Sequence, residues 1–306
     1  MRPAGTKNIP YFSENTSIPT SSSSDIRHLA SLGGNPLAQF HGILRHQRNF
    51  LKWIAKRHAM LIQSGEEARK DKEGDKRKGP AGAKTATFEK YLWYAEHLVL
   101  LESINAFEKF YKDTFTRLGA ILQGYVQPDP GRNVSINARQ LWAITGETLL
   151  PSIVPTLVFE HQLFHDLDEV DRATDMLIGK RRYNRKTKPN PLAGPSKALR
   201  GIFQIRHTLS HNCGMVTKSD QGKFKEAGFV VAENEAIDPT KNDLSVTILK
   251  RLRREATDFT AWLRTETASF LCSCITDRNL TVPIAKRTEL EDLLGTDNCW
   301  ATVTWT

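Results

Sequence analysis

Residues 87–122 read TFEKYLWYAEHLVLLESINAFEKFYKDTFTRLGAIL, and this stretch decides the fold class. Leu98, Leu101, Ile104, Phe107, Tyr111, Phe115, Leu118 and Ile121 return at three- and four-residue steps, with Phe88, Tyr91, Leu92 and Phe110 beside them. That is the period of a helix with one apolar face. Its length and aromatic content predict a helix at the centre of a bundle. Glu102 and Glu108 lie at the edge of the stripe, where a carboxylate either assists a site or sits on a solvated face.

Outward from this helix the chain keeps its helical period. Phe40, Ile43, Leu44, Phe50, Trp53, Ile54 and Leu61 predict a helix over about 37–63. Residues 65–86 mix charges of both signs and end in Gly and Pro, which predicts a solvated loop. Residues 124–137 form a second loop, followed by helical segments near 138–149 and 153–179. A further helix over about 196–211 follows Pro195 and stops at Gly214. The last long helix spans about 243–276, and a short acidic helix, Glu289–Leu294, precedes a Trp/Thr/Val end with strand character. Between these helices, Phe229–Val231 is β-prone and Asp220–Gly222 suits a turn, so a small β-hairpin is expected there. The expected architecture is all-α: a helical bundle with a small β-hairpin insertion. Residues 1–35 are rich in Ser, Thr, Pro and Gly and read as a disordered or loosely attached arm. Residues 36–306 read as one helical domain with its core at about 87–276.

Forty-three Lys and Arg against 34 Asp and Glu give a net charge of +9, which favours an anionic partner such as RNA, DNA or a membrane surface. No run of eighteen apolar residues is present, so no membrane span is expected. Residues 1–25 lack the apolar segment of a signal peptide. Cys213, Cys272, Cys274 and Cys299 have no metal-knuckle or disulfide spacing, and reduced thiols in the cytoplasm are expected.

The segment Ile205–Gly214, IRHTLSHNCG, carries the chemistry. Arg206 is a permanent cation on the apolar line of its helix, Leu199, Ile202/Phe203, Arg206, where it needs an anion or a cleft. His207 and His211 titrate near neutral pH, and Asn212 and Gly214 follow. Arg200 to His207 is a second, looser match to the same Arg-to-His pattern. Upstream, Lys180–Lys188 (KRRYNRKTK) contains six bases and no acid. Lys180, Arg181, Arg182, Arg185 and Lys186 are candidate phosphate contacts, and Tyr183 is a candidate base-stacking residue. A rival constellation is His161 and His165, four apart beside Glu160 and Asp166, a spacing that suits a metal. A zinc-protease motif needs Glu after the first His, and Gln162 stands there.

Arg206-His207-Thr208-Leu209-Ser210-His211 resembles the ribonuclease motif of the HEPN superfamily: Arg, then Asn, His or Asp, three residues, then His. Asn212, Gly214 and the stretch to Val231 are similar to the continuation in several bacterial members. The resemblance covers about 87–276. It implies a dimeric helical bundle and a metal-independent endoribonuclease needing no cofactor. Its site residues would be Arg206, His207 and His211 as catalytic groups, supported by Asn212; Glu108, beside the apolar stripe of the central helix, is a further supporting candidate read from the sequence itself. It further implies RNA as substrate, a toxin or antiphage setting, and an antitoxin or sensor as possible partner. An alternative is a catalytically inactive HEPN-like module that binds nucleotide, RNA or protein. Residues five apart on a straight helix differ by about 140° in direction. Arg206 and His211 therefore meet one phosphate only if the helix unwinds or a partner chain completes the site.

Overall fold

The computed structural model describes residues 35–70, 85–126, 153–159, 162–184 and 190–306. They all fall within one compact unit, Gly33–Thr306. Among the described residues it contains eight α-helices: α1 (Pro36–Lys70), α2 (Thr85–Leu122), α3 (Ile153–Phe159), α4 (Leu167–Ile178), α5 (Ala193–His211), α6 (Lys218–Glu226), α7 (Leu244–Arg278) and α8 (Ile284–Leu294). Two short 3₁₀ turns, Lys241–Asp243 and Asn298–Thr302, complete the described elements.

The expected central helix is α2, which touches α1, α3, α4, α5, α7 and α8. Ile104, Phe107, Tyr111, Phe115 and Leu118 on its apolar stripe are fully buried. Tyr111 packs edge-on against Phe259 of α7, with ring centroids 4.9 Å apart, and Phe107 lies 5.5 Å from Phe40 of α1. Edge-to-face and offset rings add attraction to the area they bury. Gly119 lets α3 approach closely: a Cβ there would lie 3.0 Å from Pro155.

Helix ends follow local chemistry. Pro36 occupies the first position of α1, and Asn35 caps it by accepting from the Ala38 N–H at 2.8 Å. Asp166 caps α4 and Gly179 ends it in the left-handed conformation. The single helix expected over 153–179 is thus two, α3 and α4, because Asp166 starts a new one. The helix expected over 138–149 and the loop 127–137 lie outside the described residues, as do the arm 1–34 and loop residues 71–84.

The expected β-hairpin is corrected. No strand forms among the described residues; 218–226 is helix α6. Thr217 and Asp220 form a reciprocal capping box, so the residues expected to make the turn start a helix instead. What remains of pairing is one antiparallel bridge between Met215 and Ala236. Phe229 is not a strand residue but a lid on α5: a Cβ on Gly201 would lie 2.2 Å from its ring. The tail adds no strand either. Thr306 exchanges backbone hydrogen bonds with Val282 and Ile284, while Trp300 is wholly buried.

Candidate active site

Helix α5 presents the motif from its last two turns and stays helical through His211. It closes where the Gly214 N–H donates to the Thr208 carbonyl at 3.0 Å. Cys213 and Gly214 turn the chain through the left-handed region, at φ of 50° and 85°.

Arg206 does meet an anion. Its Nε donates to Asn105 Oδ1 at 3.1 Å and lies 3.7 Å from Glu108 Oε1, both on α2. The other carboxylate oxygen of Glu108 lies 3.6 Å from His165 Nδ1. Arg206 and Glu108 line a cavity of about 460 Å³ together with Asn105, Lys109, Lys112 and Gln162. Lys109 pairs with Asp113 at the same rim. Glu108, singled out in the sequence, is therefore part of the Arg206 setting. Asn105 was missed, although it stands one helical turn before Glu108 on α2.

His207 and His211 lie one turn apart, with ring centroids 4.7 Å apart and a tilt of 46°. Burial, Lys223, His211 and Arg206 lower the pKa of His207 below its ordinary value, against the opposing pull of Asp220. His207 is thus held toward its neutral, proton-accepting form. His211 is exposed.

Asn212 points inward. Its Nδ2 donates to Asp220 Oδ2 at 2.8 Å, and Gln204 Nε2 donates to Asp220 Oδ1 at 2.7 Å. Burial alone would raise the Asp220 carboxyl, but hydrogen bonds from Thr217 and Asn212 hold it low. Asn212 therefore ties α5 to α6. Because α5 does not unwind, Arg206 faces α2 while His207 and His211 face the α6 side. The described residues bring His207 to His211 and Arg206 to Glu108, and do not bring Arg206 to His211. Arg200, of the second match, pairs at 3.6 Å with Asp168 on the exposed surface.

The basic stretch divides. Lys180 and Arg181 are exposed, and Arg181 pairs with Asp175 at 2.9 Å. Arg182 and Tyr183 are corrected as RNA contacts: they retain only 5% and 1% exposure. The Arg182 guanidinium donates to Glu255 Oε1 at 3.1 Å and lies 5.5 Å from the Trp262 ring. Tyr183 OH donates to the same oxygen at 3.0 Å and lies 2.6 Å from Tyr111 OH. The Asp171 carboxylate accepts the backbone N–H groups of Arg182, Tyr183 and Asn184, at 2.8, 2.9 and 2.6 Å, which turns this segment inward. Arg185 and Lys186 lie outside the described residues. So do Glu160 and His161 of the rival metal pair; no group of three His, Cys, Asp or Glu side chains suited to a metal occurs among the described residues.

Comparison of the chain with known protein families, curated proteins and solved structures finds no match. No helix among the described residues is long and apolar enough to cross a membrane. All four cysteines are free.

Proposed function

We propose that the protein is a HEPN-type, metal-independent endoribonuclease that works as a homodimer. The observation that carries this reading is Arg206: a cation from the apolar line of α5, three-quarters buried, opening into a cavity of about 460 Å³. His207 and His211 stand within two turns of it on the same helix. The motif resemblance supplies the chemistry. A histidine removes the proton from an RNA 2′-OH, the oxygen attacks the adjacent phosphorus, and the 5′-oxygen leaves with a proton from a second acid. The products are a 2′,3′-cyclic phosphate and a 5′-OH end.

His211 serves as base or acid, and His207, already biased to its neutral form, assists it. Arg206 stabilises charge on the phosphorane oxygens, aimed by Asn105 and Glu108. Since α5 remains straight, a second copy across a two-fold axis completes the site, with Arg206 of one chain opposite the histidines of the other. Lys180 and Arg181 extend the phosphate contacts. A cytoplasmic toxin or antiphage effector fits such an activity, with an antitoxin or sensor holding it silent.

The purified protein is expected to cleave RNA in excess EDTA, leaving cyclic-phosphate ends. Arg206→Ala and His211→Ala should each lower the rate at least ~10²-fold while far-ultraviolet dichroism stays unchanged. Cleavage that survives both changes rejects the reading. A second reading is favoured by one observation, that Arg206 and Asn212 already have partners in their own chain. In it the protein is a catalytically inactive HEPN-like module that binds nucleotide, RNA or protein. Binding without turnover, indifferent to His211→Ala, would select it.

A further inference from the structure

Helix α1 contains no acid from Pro36 to Gly65, yet carries Arg45, Arg48, Lys52, Lys56 and Arg57. At 100° per residue, Arg45, Arg48, Lys52 and Lys56 fall within about 80° of arc, so they form one stripe along the helix. The stripe is exposed and runs beside the contact of α1 with α7. Its first three members line a groove of about 490 Å³ between α1 and α7. Lys250 and Arg253 enter from the α7 side, making five cations and no carboxylate in the lining. None of the five has an ion-pair partner among the described residues, unlike Arg251 and Arg254, which pair with Glu255 and Asp258 on the same helix. The groove floor is apolar, built by the buried Leu44 and Leu249. Trp53 flanks the stripe at 63% exposure.

Five unneutralised cations brought together in a concavity repel one another, and an anion entering the groove relieves that repulsion. A single phosphate is too small for the array: from Arg45 to Lys56 the stripe runs about 16 Å along α1. A bilayer offers a flat layer of headgroups, whereas these five cations stand on two helices around a groove. A single nucleic-acid strand has what the groove demands: repeated phosphates at its spacing scale, ribose and base edges for the apolar floor, and a base for the exposed indole. We infer that the α1–α7 groove binds the phosphodiester backbone of a single-stranded nucleic acid, with Trp53 as a stacking platform. This site is built from helices other than α5, and binding there does not depend on cleavage.

The test uses the full chain and fluorescence anisotropy, with labelled oligo-uridylate and oligo-thymidylate of about twenty nucleotides. His211→Ala serves as background, so that turnover does not erode the probe. Arg48→Gln, Lys52→Gln and Lys250→Gln are combined in one variant. Its charge-matched control combines Arg254→Gln, Lys286→Gln and Arg287→Gln, three cations already paired with carboxylates. The groove variant should bind at least ~10-fold more weakly. The slope of log K against log salt should fall by about 2, since each single-strand phosphate contact contributes about 0.7. The control should keep wild-type affinity and slope. Equal losses on both probes assign the groove to the shared backbone, and a loss on oligo-uridylate alone adds a ribose contact. Absence of binding by the parent overturns the proposal, as does a groove variant with wild-type affinity and slope. A third overturning result is selective loss of binding to vesicles of equal parts phosphatidylserine and phosphatidylcholine while oligonucleotide binding persists.

Discussion

Glu255 decides how the most polar part of the core behaves. Its carboxylate meets Arg182, Tyr183 and Arg251 with only 2% of its side chain exposed. Burial, with Glu255 beside it, raises the Tyr183 phenol well above its ordinary value, so Tyr183 stays a donor at any physiological pH. Removing the carboxylate leaves a guanidinium and a phenol facing a space that cannot solvate them. Glu255→Ala should therefore lower unfolding free energy by roughly 3–5 kcal/mol, measured by urea denaturation. A loss under about 1 kcal/mol would mean that water reaches the network. The same residues explain the misreading of KRRYNRKTK. Charge density marks a solvated surface on average, but Asp171 gathers three consecutive backbone N–H groups and turns Arg182 and Tyr183 inward. That partner lies eleven residues upstream of Arg182, beyond the reach of local composition. Arg206 was read more successfully because a cation on an apolar line demands an anion wherever it comes from, and Glu108 supplies it.

At the level of elements, period was a better guide than propensity. Helices α1, α2, α5 and α7 follow apolar spacing over many turns, and each was legible to within about three residues except at the C-terminal end of α1, which continues to Lys70 through residues expected to begin a solvated loop. The insertion was not, because three β-prone residues, Phe229–Val231, suggested a strand that has no neighbour to pair with. Phe229 instead covers Gly201, and Val230 is fully exposed. The signal for α6 was present as Thr217 followed three residues later by Asp220, a capping box with the shorter acid. Asp220 accepts from Gln204, Asn212 and Thr217, so it holds α5 to α6 as well as capping. Asp220→Ala should destabilise the protein by about 1–2 kcal/mol. Hydrogen exchange should accelerate first in amides of 214–228. Exchange that rises uniformly through α2 and α7 would instead place Asp220 in the global folding unit.

Across the whole molecule, acid is expected to loosen the fold through histidine. His41, His97 and His207 all have pKa values lowered below the ordinary 6.5, with burial the largest cause in each. The unfolded chain therefore binds more protons than the folded one as pH falls through this range. Their stabilising contribution is complete above about pH 6.5 and is lost as pH falls through their folded pKa values. Glu96, raised chiefly by burial, works in the opposite direction. The melting temperature should fall between pH 7 and pH 5, and His97→Asn should flatten that fall. An unchanged slope in the variant would remove His97 from the account. Net charge pointed to an anionic partner, but it could not place one. Five cations with no ion-pair partner among the described residues face the α1–α7 groove, whereas Arg181 is paired and Arg182 buried in the basic stretch.

Helix α2 carries two duties on the same turns. Asn105 and Glu108 hold Arg206, while Ile104, Phe107 and Tyr111 fill the core between and beside them. No hinge or loop separates the two sets, so slack in the core reaches the guanidinium without passing through any intermediary. A screen for heat-sensitive alleles should therefore draw heavily on residues 104–111 of α2. Such alleles would lose function a few degrees below the temperature at which the chain comes apart, and regain it on cooling.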